Sequence, residues 1–329
     1  MATMTHSPDA MAPPSPSSQS SNPRRRHVLD LDDFSRDEIV EILETTASMK
    51  EVLGRPIKQV PALRGKTVVN MFFEDSTRTR ISFELAARAL SANVVGMTGK
   101  GSSVEKGESM IDTVRTLQAL GADILVIRHR ESGTPYLVSQ HFRGSVLNAG
   151  DGRHAHPTQA LLDMFTIHER LGHLEGLNVV IVGDILHSRV ARSNLWGLAT
   201  MGANVTLCAP PTLLGPAAYW TATWPNLAIS HSLDECVDGA DAIMTLRLQK
   251  ERQESGLLPS LREYSRLFGV DAARVARAAP HCLVMHPGPM NEGVEIMPDV
   301  ATSAQSVIEA QVTNGVAVRM ALLYRLAEA

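Results

Sequence analysis

Short apolar runs alternate with longer stretches in which apolar positions recur every third or fourth residue, and that alternation sets the expected architecture. The run Thr67-Val68-Val69-Asn70-Met71-Phe72-Phe73 reads as a buried strand. Phe83, Ala86, Ala87 and Leu90 follow it at the i, i+3, i+4, i+7 spacing of a helix's buried stripe. Upstream, residues 29–53 read as a lead-in helix, entered through the capping run Phe34-Ser35-Arg36-Asp37-Glu38, with Ile39, Ile42 and Leu43 on one face. Downstream, strands at 93–97, 123–127 and 146–148 alternate with helices at 108–120 and 135–141. A second round follows a helix at 157–171: a strand at 178–184, a helix through Leu195, then strands at 204–208, 240–245 and 282–285. Strand and helix in alternation imply parallel pairing, so the expected fold is α/β, two doubly wound parallel-sheet domains. A long helix at 304–326 comes after the second sheet is complete.

Composition changes this picture little. A chain of 329 residues is long enough for about two domains. Its net charge of -4 offers no broad electrostatic footprint for nucleic acid or an anionic membrane, so any anion must be held by local arginines. Cys208, Cys236 and Cys282 are odd in number and form no CxxC, which points to a reducing compartment and core thiols rather than structural zinc. Neither a membrane-length apolar run nor a secretory h-region is present, and a cytoplasmic protein is expected. Residues 1–26 are rich in Pro and Ser and end in Arg24-Arg25-Arg26, the composition of a disordered tail. The basic triplet reads as a solvated charge run or as a contact for a partner.

The chemistry concentrates where strands end. Between strand 67–73 and the following helix stands Glu74-Asp75-Ser76-Thr77-Arg78-Thr79-Arg80. Asp75 or Ser76 can cap the helix, leaving first-turn N–H groups beside the positive end of its dipole, a ready phosphate site. Capping needs one hydroxyl; two hydroxyl–arginine pairs are more than it needs, and an arginine fork matches phosphate oxygens bidentately. The other polar clusters also follow strands: Arg128-His129-Arg130, residues 148–152, residues 154–159, Asp184 to Arg189, Arg247-Leu248-Gln249, and His286-Pro287-Gly288-Pro289. Open α/β sheets bind ligands outside the carboxyl ends of their strands, so these clusters read as one shared cleft. Taken singly they say less. Arg128 alone could serve a plain salt bridge, His154 and His156 make an incomplete metal site, and Asp184 after Val-Ile-Val-Gly lacks a glycine-rich nucleotide fingerprint.

The Ser-Thr-Arg-Thr-Arg run, the His156-Pro157-Thr158-Gln159 helix start and the Ala-Gln-Val-Thr-Asn-Gly-Val-Ala-Val-Arg-Met run of the last helix together resemble the aspartate/ornithine carbamoyltransferase family, from about Leu29 onward. The resemblance implies a carbamoyl phosphate-binding domain at 27–165, an amino-acid-binding domain at 166–303, and a C-terminal helix, 304–329, that crosses back to the first. It implies that Ser76, Thr77, Arg78 and Thr79 hold the phosphate. Arg128, Thr79 and His156 would polarise the carbamoyl oxygen, with Arg78 among the catalytic group. Gln159 and the turn Pro287, Gly288 and Pro289 would orient the carbamoyl amino group, the carbonyls of Pro287 and Gly288 accepting from it. Arg189, Arg247 and Gln249 would take the carboxylates of L-aspartate. The segment 101–108 looks like the family's mobile loop, whose serine and lysine, here Ser102 and Lys106, enter a neighbouring subunit's site; Ser102 would serve carbamoyl phosphate and Lys106 aspartate. A homotrimer with shared sites follows, with a larger assembly, a regulatory chain and nucleotide control left open.

The amino-acid half separates the family's branches. Ornithine enzymes carry His-Cys-Leu-Pro where this chain has His286-Pro287-Gly288-Pro289, and an ornithine cation would want an acidic partner where Arg189 and Arg247 stand. Gly288-Pro289-Met290 departs from the Leu-Pro-Arg of the best-known aspartate enzymes, which removes an arginine and leaves the carbonyl role intact. The expected reaction is attack of aspartate's neutral amine on the carbamoyl carbon, with phosphate leaving and accepting the proton, as no carboxylate stands out as a base. It belongs to pyrimidine biosynthesis and implies no metal, cofactor or covalent nucleophile. An ornithine-type carbamoyltransferase and a non-catalytic binding relative are the alternatives; the second would be expected to have lost some of Arg78, Arg128, His156 or Arg247.

Overall fold

The computed structural model describes residues 25–99, 108–224, 226–248 and 260–328. Its first helix, α1 (Arg36–Leu53), starts where the sequence supplies a reciprocal cap: the Glu38 N–H donates to the Ser35 hydroxyl, and the Ser35 N–H donates to the Glu38 carboxylate. Such a cap is worth about 1 kcal/mol. The apolar face of α1, with Ile39, Ile42 and Leu43, turns into the core.

The first sheet contains β1 (Thr67–Phe72), β2 (Asn93–Thr98), β3 (Ile124–His129) and β4 (Ser145–Asp151), all parallel and ordered β2-β1-β3-β4. Its crossovers run through α2 (Thr77–Ala89), α3 (Met110–Ala119) and α4 (Thr134–Ser139). Successive side chains of β1 point to opposite faces, and both faces are covered. Val68 and Phe72 pack with Phe83, Ala86 and Ala87 of α2, while Val69 and Met71 join Val114 of α3 and Val138 of α4. Burial on both sides is why this strand reads as a nearly unbroken apolar run.

The long helix α5 (Pro157–Leu171) then carries the chain to the second sheet. That sheet comprises β5 (Asn178–Val182), β6 (Asn204–Cys208), β7 (Ala228–Ser230), β8 (Ala242–Thr245) and β9 (Leu283–Met285), parallel and ordered β7-β6-β5-β8-β9, with α6 (Arg189–Thr200) following β5. The last helix spans Ile308–Ala327 and begins later than the expected residue 304. The Val284 N–H donates to the Gln305 carbonyl, and the Val307 N–H to the Val284 carbonyl, so residues 305–307 lie along β9 before helix can form. The helix then packs on α1, α2 and α5, returning the end of the chain to the first sheet. Cys208 and Cys282 are buried, Cys236 is partly so, and all three thiols are free. Among the described residues no helix is long and apolar enough to cross a membrane.

Candidate active site

Strand order determines where a cleft can open. In the first sheet the chain leaves β1 toward β2 and β3 toward β4, in opposite directions, so the crevice lies beyond the carboxyl ends of the adjacent strands β1 and β3. In the second sheet the same divergence falls between β5 and β8. The segments leaving these four strands meet in one cleft of about 780 Å³, lined by residues 74–79, Arg128, Arg130, His156, Gln159, Ser188, Arg189, Arg247 and the 287–289 turn.

At the end of β1, Ser76 occupies the N-cap of α2 with φ -160°, and its hydroxyl makes no capping bond. The helical ladder starts with the Arg80 N–H donating to the Ser76 carbonyl at 3.1 Å. The N–H groups of Thr77, Arg78 and Thr79 therefore lie outside that ladder, and the Ser76 hydroxyl is left over for a ligand. Arg78 crosses toward the second sheet and donates to the Pro287 carbonyl at 3.3 Å. Burial and the nearby Arg247 both lower its pKa. Gly288 has φ +60°, and a Cβ there would sit 2.0 Å from Arg78 Nη1. The positive φ favours glycine here, and a side chain would in addition have to displace the Arg78 guanidinium.

His156 is the N-cap of α5, buried, with its backbone N–H donating to the Ser193 hydroxyl at 2.9 Å. Burial, then the charges of Arg189, Arg128 and Arg319, push its pKa well below the usual imidazole value, so the ring is neutral. Gln159, one turn on, donates through Nε2 to Asp163 at 2.9 Å, which directs its carbonyl oxygen away from that bond. Asp163 also accepts from Gln311 Nε2 at 2.8 Å and Asn194 Nδ2 at 2.9 Å, tying α5, α6 and the last helix together. Burial raises the Asp163 pKa to about 6 despite those bonds. Arg319 of the last helix is buried behind α2, donating to the Ser82 hydroxyl at 2.6 Å and lying over the Phe83 ring at 4.9 Å. Burial and neighbouring Arg128 bring its pKa down to about 10.

The second-sheet arginines enter from the other side. Arg189, the first residue of α6, is buried and pairs bidentately with Glu74 at 2.9 Å for each bond; it also donates to the Gly152 carbonyl at 3.1 Å. Arg128, at the end of β3, donates to the same Glu74 at 2.8 Å. Arg247 follows β8 and lines the cleft. Of the residues expected at the site, Ser76, Thr77, Arg78, Thr79, Arg128, His156, Gln159, Arg189, Arg247, Pro287, Gly288 and Pro289 converge on this cleft. Ser102, Lys106 and Gln249 lie outside the described residues.

Glu74 lines the cleft, with Asp163 and Arg319 buried behind it, and none of the three was expected at the site. A carboxylate does stand in the cleft, but both oxygens of Glu74 are engaged by guanidinium groups, which makes it a brace between the two sheets rather than a base. Its position beside an anion-binding run, where a negative charge would oppose a ligand unless paired, is the signal that could have found it. Asp163 and Arg319 left no such mark, since each sits on a helix face that reads as core.

The family model described as aspartate/ornithine carbamoyltransferase, carbamoyl-P binding domain, matches residues 26–169, and that of the Asp/Orn binding domain matches residues 175–326. The aspartate carbamoyltransferase catalytic subunit of Roseiflexus sp. (strain RS-1) is 80% identical over 303 residues, covering 92% of this chain and 95% of the relative. The crystal structure of aspartate transcarbamoylase from Trypanosoma cruzi in complex with carbamoyl phosphate and aspartate superposes with a TM-score of 0.80 at 32% identity, over 90% of this chain and 95% of the other. An ornithine carbamoyltransferase from Pyrococcus furiosus superposes equally well, with a TM-score of 0.80 at 29% identity, over 91% and 96% of the two chains. Backbone likeness is therefore the same for both branches.

Proposed function

This chain belongs to the aspartate/ornithine carbamoyltransferase family, and from that premise we propose that its cleft transfers the carbamoyl group of carbamoyl phosphate to the amine of L-aspartate, giving N-carbamoyl-L-aspartate and phosphate. One observation carries the reading: a helix start bearing Ser76, Thr77, Arg78 and Thr79 at the switch point of one sheet faces Arg189 and Arg247 at the switch point of the other. The first suits a phosphate and the second suits a dicarboxylate once a substrate carboxylate takes the place of Glu74 on Arg189, whereas ornithine's cationic side chain would face Arg247 with the Glu74 carboxylate already engaged by Arg128 and Arg189.

In this mechanism the phosphate lies against the first-turn N–H groups of α2, with the Ser76, Thr77 and Thr79 hydroxyls and Arg78 as donors. The carbamoyl oxygen faces Arg128, Thr79 and His156. A neutral His156 keeps one N–H to donate, adds no third positive charge beside Arg128 and Arg189, and has no proton to lose first. The Gln159 carbonyl and the carbonyls of Pro287 and Gly288 accept from the carbamoyl amino group. Aspartate's carboxylates bind Arg247, Gln249 and Arg189, the last exchanging its pair with Glu74 for the substrate. Its neutral amine attacks the carbamoyl carbon, the C–O bond to phosphate breaks, and the amine's proton leaves on the departing phosphate. Holding two mutually repelling anions about 3–3.5 Å apart can contribute roughly 7–11 kcal/mol. Each donor on the developing oxyanion adds about 2.7–4 kcal/mol.

The active form is a cytoplasmic homotrimer acting in pyrimidine synthesis, with Ser102 and Lys106 reaching a neighbour's cleft. Ile81 and Leu85 on the outer face of α2, and Val95 on the edge strand β2, are exposed apolar side chains and supply a surface for that association. The test is turnover with carbamoyl phosphate against a panel of amino acids. Aspartate alone should be carbamoylated; preferential carbamoylation of ornithine overturns the assignment.

A further inference from the structure

The 287–289 turn is asked to present carbonyl oxygens at fixed positions, yet Pro-Gly-Pro has a single N–H with which to anchor itself. That N–H, on Gly288, donates to His286 Nδ1 at 2.6 Å. A ring nitrogen that accepts carries no proton, so the neutral His286 ring holds its proton on Nε2, which faces Glu295 Oε1 at 3.2 Å. Glu295 Oε1 also accepts the Asn291 N–H at 2.6 Å, closing the far side of the turn. The two side chains are 0% and 1% exposed. The His286 N–H donates to Gln311 Oε1 at 3.0 Å, and Gln311 Nε2 donates to Asp163, the carboxylate that also holds Gln159.

We propose that His286 and Glu295 are positioning residues for the transfer reaction: Glu295 fixes the imidazole tautomer, and the imidazole clamps the Gly288 N–H, so that the Pro287 and Gly288 carbonyls face the carbamoyl amino group in register with Gln159. The inference rests on the reaction given above. Its logic is geometric. The turn reaches, through His286 and Gln311, the same buried carboxylate that Gln159 bonds directly, so the acceptors for one amino group are set by one hydrogen-bonded frame rather than by separate loops.

Amide substitutions separate the two ring nitrogens. His286→Asn puts an oxygen near the place of Nδ1 and drops the donor to Glu295; His286→Gln puts its amide near the place of Nε2 and drops the acceptor for Gly288. His286→Gln should raise the KM for carbamoyl phosphate and weaken its binding by calorimetry at least about tenfold, the effect of one lost buried hydrogen bond, with the KM for aspartate little changed. His286→Asn should stay within about threefold of wild type in binding and KM, while both variants should melt somewhat lower, each leaving one buried partner unpaired. Glu295→Gln keeps an acceptor oxygen and should resemble His286→Asn, whereas Glu295→Leu should resemble His286→Gln. An active wild type with Asn and Gln variants equally affected, or with losses confined to melting temperature, overturns the clamp alone. A wild type that neither binds nor consumes carbamoyl phosphate overturns the parent reading and the clamp with it.

Discussion

Arg78 and Arg247 face one cleft from different sheets, so their loss should damage different substrates. Arg78→Ala is expected to lower kcat/KM for carbamoyl phosphate about 10²–10³-fold, the cost of a donor aimed at developing charge. Arg247→Ala should act chiefly on the aspartate KM. Steady-state kinetics with each substrate varied in turn decides, and an Arg247→Ala enzyme impaired only toward carbamoyl phosphate would show the division of the cleft to be wrong. His156 gives a second test at this scale. Folded, it stays neutral well below 6.5, while in the unfolded chain it takes up a proton as pH falls through 6.5. The unfolded state then binds more protons, so stability falls as pH drops below that value, by up to about 1.4 kcal/mol per pH unit. Asp163 works in the opposite sense between 3.8 and about 6, where the folded state holds the extra proton. Urea midpoints at about pH 7.5 and 5.5 should therefore show wild type losing stability relative to His156→Asn on acidification, the variant lacking only the first of these two contributions.

At the scale of elements, Asp163 joins α5, α6 and the last helix, and its removal is the sharpest test of that joint. Asp163→Ala leaves the side-chain amides of Gln159 and Gln311 without their acceptor and Asn194 with only the Val190 carbonyl, at a cost of about 1–3 kcal/mol for each amide left unpaired, before relaxation. The melting temperature and kcat/KM should fall together because Gln159 loses its orientation; a fall in stability with unchanged kinetics would separate the joint from the cleft. Elements with two buried faces or a clear stripe, such as β1 and α2, were legible because core packing imposes their periodicity. The edge strand β7 was not, since Ala228-Ile229-Ser230 is three residues long and only partly covered. The phosphate-binding run was legible because its chemistry is local in sequence. The Glu74 brace was not, because its partners lie at positions 128 and 189 and no periodicity announces a long-range ion pair.

At the scale of the whole molecule, the proposed trimer would give each cleft an Arg78 from one subunit and a Lys106 from the next. Lys106→Ala and Arg78→Ala chains should each be nearly inactive. Mixed in equal amounts after dissociation, about a quarter of the sites pair one chain's intact Lys106 with its neighbour's intact Arg78, so roughly a quarter of wild-type activity should return. If subunit exchange is verified by mass and activity stays absent, Lys106 serves its own cleft.

The returning C-terminal helix also bears on how the protein is made. Gln311, which supports both the 287–289 turn and Asp163, and Arg319, which backs α2, belong to residues 308–327. A nascent chain can therefore complete the second sheet on the ribosome while the phosphate-binding half still lacks part of its core. Competence therefore waits on residues 308–327 rather than on the emergence of either sheet, and a chain cut short before residue 308 should be a substrate for proteolysis rather than a weak catalyst.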